Sequence, residues 1–199
     1  GDIPVAGSLS ATGGEVTLPA ASGTIGRAGG TIAANKVIAT ARDGIDIAST
    51  GNAMIWAAST GGGDINLSGD SDVYVKIHTA GDLTIDAGGY AGNNDSVTAR
   101  SVGINAANGI YLFDQIGTVG SYRYLTSTGG AIDVENKGDI VLAGDVTANA
   151  PGNYIRLNST QNSLLQNSGT IDGYSVELKA SGSVTQSVNA RLVAGEGGL

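Results

Sequence analysis

The sequence contains no cysteine, so disulfides and thiolate metal sites are excluded, and cysteine usage leaves the redox compartment open. His78 is the only histidine, which removes any imidazole cluster or histidine-based triad. One Phe, one Trp and one Met leave a core to be built from small aliphatic residues. Charged residues make up only 14 %, and ten basic against eighteen acidic side chains give a net charge of −8. Without a basic run, nucleic acid and anionic membrane surfaces are poor partners. No run of about 18 apolar residues exists to span a bilayer as a helix. No charged segment leads into an apolar stretch as a signal peptide would. Helical signals are missing too, because no window sustains a 3.6-residue apolar period and glycine interrupts throughout.

What the chain does have is 33 glycines in 199 residues and a hydrophobic fraction of 41 %, too apolar for disorder. Its length fits one domain. Units of the form Gly-x-Ile/Val/Leu-x-apolar recur along it: Gly14–Leu18, Gly63–Leu67, Gly81–Ile85, Gly130–Val134 and Gly138–Leu142. Weaker copies start at Gly1, Gly109 and Gly169. Each reads as a turn followed by a short strand whose apolar residues point one way. Alternation at Ala53/Ile55/Ala57, Val73/Val75/Ile77, Ile155/Leu157 and Val176/Leu178 fills the intervals with further strands.

The outward residue between each inward pair serves as a phase marker. Asp46, Asn66, Thr84, Asn105, Asp133, Arg156 and Glu177 step by 20, 18, 21, 28, 23 and 21 residues. A period of about 20 residues predicts an all-β fold, a parallel β-helix (β-solenoid) of nine or ten coils, running through residues 1–199 as one segment. Gly138–Leu142 competes with Gly130–Val134 for one slot in this register. The 28-residue step predicts a coil-interrupting loop within 111–128. Tyr111, Phe113, Tyr122 and Tyr124 cluster there, in a chain of nine aromatic residues.

Two stretches carry a family resemblance: Gly138-Asp-Ile-Val-Leu-Ala-Gly-Asp-Val-Thr-Ala148, and Gly169 to Ser187 with its Ser-Val-x-Leu-x-Ala-Ser-Gly-x-Val-Thr-Gln phrase. This repeat language is similar to that of the filamentous haemagglutinin type of bacterial two-partner-secreted exoprotein. The resemblance implies a right-handed parallel β-helix, extracellular or attached to the bacterial surface, in a long rod used for adhesion. The absence of cysteine agrees with a family that crosses the outer membrane unfolded. The Asn-Pro-Asn-Gly type motif of the family's secretion domain does not occur in the chain. The family supplies no catalytic residues to transfer.

The candidate chemistry is sparse. Asp64, Asp70 and Asp72, with Asp82 and Asp86 on a following coil, are the carboxylates that polysaccharide hydrolysis would need in pairs. Aspartate beside glycine is also ordinary turn chemistry, so no enzyme activity is expected. Gly61-Gly-Gly-Asp64 is a single imperfect echo of a calcium-roll repeat, and neither a metal nor a cofactor is expected. The mixed phase markers argue against a flat repetitive ligand such as ice. Trp56, Tyr74 and Val141 are outward apolar residues that would form a lateral contact stripe.

Neither end reads as a polar capping unit, which suits either a piece of a longer rod or a subunit stacking head to tail. The sequence therefore points to a structural, adhesive segment of a cell-surface stalk or filament. Its expected partner is a glycan or protein of a host or neighbouring cell, with lateral or head-to-tail self-association also open. The alternative is a carbohydrate-binding module on the same fold, with Tyr111, Tyr122, Arg123 and Tyr124 as ligand-binding residues. A polysaccharide-active enzyme is the weakest reading.

Overall fold

A computed structural model describes residues 1–113 and 118–195. The chain is an all-β parallel solenoid of about nine coils with roughly 20 residues per turn, and no helix occurs among the described residues. Every strand pairing is parallel and joins one coil to the next. Two ladders carry the coils. The first stacks Thr24–Arg27, Gly44–Ser49, Ile65–Gly69 and Asp82–Ala87. It continues through the second half of Tyr90–Ala106 to Val119–Ser127. There it divides, pairing Tyr122 with Leu142 and Leu125 with Val146. The second ladder stacks Leu9–Ala20, Ile32–Ala41, Ala53–Ser59, Val73–His78 and the first half of Tyr90–Ala106. It ends through Gly109–Leu112, Ile132–Asn136, Tyr154–Ser159 and Ser175–Ala180.

Strand alternation explains the interior. Residues at i, i+2 and i+4 share a face, so each Ile-x-Leu unit sends both aliphatic chains inward. Stacked at the inter-strand spacing of about 4.8 Å, they form columns such as Ile25–Ile45–Ile65–Leu83–Val102 and Ile47–Leu67–Ile85–Ile104–Leu125. All these chains are buried. With at most a few inward positions per strand, the core is one long aliphatic pile, which accommodates the shortage of aromatics. On the last described coil Val184 and Leu192 are exposed.

Three expectations about register change. Asp46, Asn66 and Thr84 do stack, but the next residue in their column is Gly103; Asn105 pairs with Asp86. Asp133, Arg156 and Glu177 stack in the other ladder, above Tyr111. The 28-residue step thus arises from changing ladders, since Ile104 pairs with Leu125 and Ile110 with Ile132 in steps of 21 and 22. Much of the segment expected as a loop within 111–128 belongs to strands, Gly109–Leu112 and Val119–Ser127. Between them, 114–117 lie outside the described residues. Finally, Gly130–Val134 and Gly138–Leu142 do not compete: they supply Ile132–Asn136 and Ile140–Leu142, strands of one coil on different ladders.

Candidate functional site: an aromatic strip on the second ladder

The outer face of the second ladder carries a pattern of alternating tyrosine and glycine. One outward column runs Met54–Tyr74–Gly92–Tyr111–Asp133–Arg156–Glu177. Two residues earlier on the same strands, Tyr90 pairs with Gly109, and further along Tyr154 pairs with Ser175. One coil therefore offers Tyr90-Ala91-Gly92 and the next Gly109-Ile110-Tyr111, with ring and gap exchanged.

The gaps seat the rings. A Cβ on Gly92 would lie 3.2 Å from Cδ1 of Tyr74, and one on Gly109 would lie 2.9 Å from Cε2 of Tyr111. Both rings therefore lean over bare backbone, and any larger residue in those gaps would lift them. Covering strand glycines with aromatic rings is a known way to stabilise a sheet surface, and it uses one side of each ring. The ring centroids of Tyr90 and Tyr111 are 5.7 Å apart, and those of Tyr111 and Phe113 are 6.1 Å apart. Asn93 fixes Phe113 from the coil beneath: its Oδ1 accepts the Phe113 N–H at 2.8 Å, and its Nδ2 donates to the Phe113 carbonyl at 3.0 Å. Tyr90, Phe113 and Tyr154 are 38 %, 42 % and 41 % exposed, while Tyr74 and Tyr111 are half-buried.

Charge beside the strip is closed on itself. Arg156 donates from Nε and Nη2 to both carboxylate oxygens of buried Asp133, at 2.8 and 2.6 Å. The Tyr154 hydroxyl stands 3.5 Å from the same carboxylate. Burial pushes the phenols of Tyr74, Tyr111 and Tyr154 upward from a value already well above neutrality. Past Tyr154 an open depression of about 730 Å³ continues the strip, bordered by Arg156, Ser175, Glu177 and Lys179. The last two form an ion pair with each other.

The residues expected to bind ligand are not brought together. Tyr111 lies in the strip. Tyr122 is 1 % exposed, inside the first ladder between Val102 and Leu142, out of reach of any surface ligand. Arg123 and Tyr124 face outward on the first ladder, the opposite one. Arg123 is the extra residue of a bulge, and its Nη2 donates to the Leu83 carbonyl and to Thr84 Oγ1, at 3.1 and 3.0 Å. Of the expected lateral stripe, Trp56 and Tyr74 share the second ladder while Val141 belongs to the other. Trp56 lies beneath Lys36 Nζ, 3.6 Å from its ring centroid, and that lysine is itself paired with Glu15. The carboxylates expected as a catalytic candidate each hold a neighbouring coil: Asp64, Asp70 and Asp72 accept the N–H groups of Asp82, Gly51 and Tyr90. Asp82 accepts from Arg100 and Ser101, and Asp86 from Asn105. Tyr90, Tyr154 and the role of Tyr74 as a ring platform escaped the sequence reading. The exchanged Tyr-x-Gly and Gly-x-Tyr units on consecutive coils are the signal that points to them.

Fold and surface together define a parallel β-solenoid with an aromatic strip along one side. No family model, curated protein or solved structure matches the chain.

Proposed function

We propose that this chain is a structural and adhesive segment of an extracellular β-helical stalk or filament on a bacterial surface, similar to the filamentous haemagglutinin exoproteins. The observation that carries this reading is the parallel stacking of the described residues from Ile3 to Ala194 around a core that is aliphatic apart from Tyr122. Such a body gains length coil by coil without changing shape, each coil hydrogen-bonded to the next through continuous parallel ladders. Its function then lies in length, rigidity and the surface it displays, with no active site. The partner is a glycan or protein of a host or neighbouring cell, met through the strip of Tyr74, Tyr90, Tyr111 and Tyr154.

Electron microscopy of the purified chain, with adhesion of chain-coated beads to cell monolayers, tests both halves. Rods about 45 Å long, from nine or ten coils at roughly 4.8 Å each, or fibres of the same width, are expected. Round particles would end the stalk reading. Beads that bind no better than albumin-coated ones would end the adhesive one.

A further inference from the structure

We infer that the aromatic strip is a binding site for an extended, uncharged polysaccharide lying obliquely across consecutive coils, its sugar rings stacked on Tyr90, Tyr111, Phe113 and Tyr154. The inference rests on the reading of the chain as a contact-making rod and names the ligand class.

Four observations carry it. Tyr90 and Tyr111 stand on consecutive coils with centroids 5.7 Å apart, and Phe113 follows Tyr111 on the same coil at 6.1 Å, an oblique run whose spacing is of the same order as that between sugars in an extended pyranose chain. The glycine gaps hold Tyr74 and Tyr111 against the backbone. A ring already seated loses little side-chain freedom on binding. Aromatic faces are electron-rich and favour the electropositive C–H edges of a sugar ring. Lastly, the charges along the strip are already matched: Arg156 with Asp133, Glu177 with Lys179, and Lys76 with Asp95. A sulfated or uronic-acid chain would find the strip's cations Lys76, Arg156 and Lys179 already paired, and a net charge of −8 repels it further. The phenol hydroxyls of the exposed rings are left to meet sugar hydroxyls, as polar groups beside an apolar platform do in ligand sites generally.

Isothermal titration of the full chain with cellohexaose, mannohexaose and chitohexaose tests the inference, with heparin as the anionic comparison. At least one neutral hexasaccharide is expected to bind, with heparin weaker, and to perturb the tyrosine absorption spectrum. Tyr90→Ala and Tyr154→Ala remove exposed rings and are expected to leave the circular dichroism melt in place while lowering affinity about tenfold each. Tyr90→Phe, which keeps the ring, is expected to bind within a few-fold of the parent. Binding of heparin alone, no binding of any neutral oligosaccharide, or affinity indifferent to both alanine variants would overturn the inference. So would self-association abolished by Tyr90→Ala, since a second copy would then occupy the strip. Rods that bind no glycan would remove this ligand and leave the stalk, whereas round particles that bind would do the reverse.

Discussion

The Asp64 carboxylate accepts the main-chain N–H of Asp82 on the next coil, Oδ1 to N 2.8 Å. This pairing repeats along the solenoid. Asp2, Asp72, Asp139 and Asp145 take the N–H of Thr24, Tyr90, Ser163 and Thr170 at 2.8 to 2.9 Å. In each case the aspartate stands immediately before the first inward residue of its strand, and the partner occupies the same place one coil later. Glycine commonly precedes the partner for a steric reason. A Cβ on Gly81 would lie 2.7 Å from the Asp64 carboxylate and 2.6 Å from the Gly62 carbonyl. A Cβ on Gly89 would collide with the Asp72 carboxylate in the same way. The Gly-Asp dipeptide is thus a two-part joint: the aspartate binds upward, and the glycine above leaves room for it. Much of the acidic excess of the chain is spent in these joints.

Removing one joint should therefore cost a hydrogen bond. Asp64→Ala is expected to lower unfolding stability by about 1 kcal/mol, and Asp64→Asn by less, because the amide oxygen still accepts. Gly81→Ala should cost more than either, since its Cβ meets backbone that other strands hold in place. Urea midpoints of the three variants check this order. An Asp64→Ala midpoint equal to that of the parent would show that the joint contributes nothing.

Acid should loosen the same face. The Arg100 guanidinium, helped by the Ser101 hydroxyl and opposed by partial burial, holds the Asp82 carboxyl at about 2, against 3.8 ordinarily. The Thr24 N–H holds Asp2 below its usual value, and Lys76 does so for Asp95. A carboxyl held low in the folded state binds its proton more readily when unfolded, so its stabilisation is complete above about pH 4 and is lost as the pH falls towards 2. The thermal midpoint should therefore stay level from neutrality down to about pH 5 and drop below pH 4. Asp82→Asn should show a shallower drop. A midpoint that rose on acidification would contradict the sign.

How much of this was visible beforehand depends on the length scale. Inward positions such as Ile45, Ile65 and Leu83 were legible because alternation within a strand is a local property. The solenoid followed from their spacing. Which ladder a unit joins was not legible, because Asn105 and Asp133 share the same local pattern and differ only in their neighbours on other coils. The strip was hidden for the same reason. Tyr74, Tyr90, Tyr111 and Tyr154 are far apart in sequence and become neighbours only once the register is known. The clustered Tyr122, Arg123 and Tyr124 are divided because alternation turns Tyr122 inward while a one-residue bulge leaves both Arg123 and Tyr124 outward, away from the ladder of Tyr111.

Tyr122 is a case where removing a polar atom should help. Its ring fills the core, but its hydroxyl has no hydrogen-bond partner among the described residues, and burial pushes the phenol well above its usual range. A buried, unpaired hydroxyl costs about 1–3 kcal/mol. Tyr122→Phe is therefore expected to stabilise the chain or leave it unchanged, whereas Tyr122→Ala should cost about 3–5 kcal/mol through the cavity it opens. Paired urea unfolding curves decide; a Phe variant less stable than the parent would mean that the hydroxyl is satisfied in solution.

The Arg123 bulge makes the last prediction. Gly103 sits between Thr84 below and Tyr124 above, and a Cβ there would lie 2.5 Å from the Tyr124 ring. The bare backbone at Gly103 lets the ring lie flat and lets Arg123 reach past it to Thr84 and the Leu83 carbonyl, two coils down. One guanidinium thus ties three coils together at the point where the first ladder begins to divide. Gly103→Ala is expected to displace Tyr124, weaken both Arg123 contacts and destabilise by more than the intrinsic propensity change, which favours alanine in a strand. Arg123→Ala should remove the tie but leave Tyr124 seated. In hydrogen exchange, both variants should lose protection at Leu83 to Leu125 ahead of the distant Ile25 to Ile65 columns. Uniform loss along the whole solenoid would show that the tie is not local.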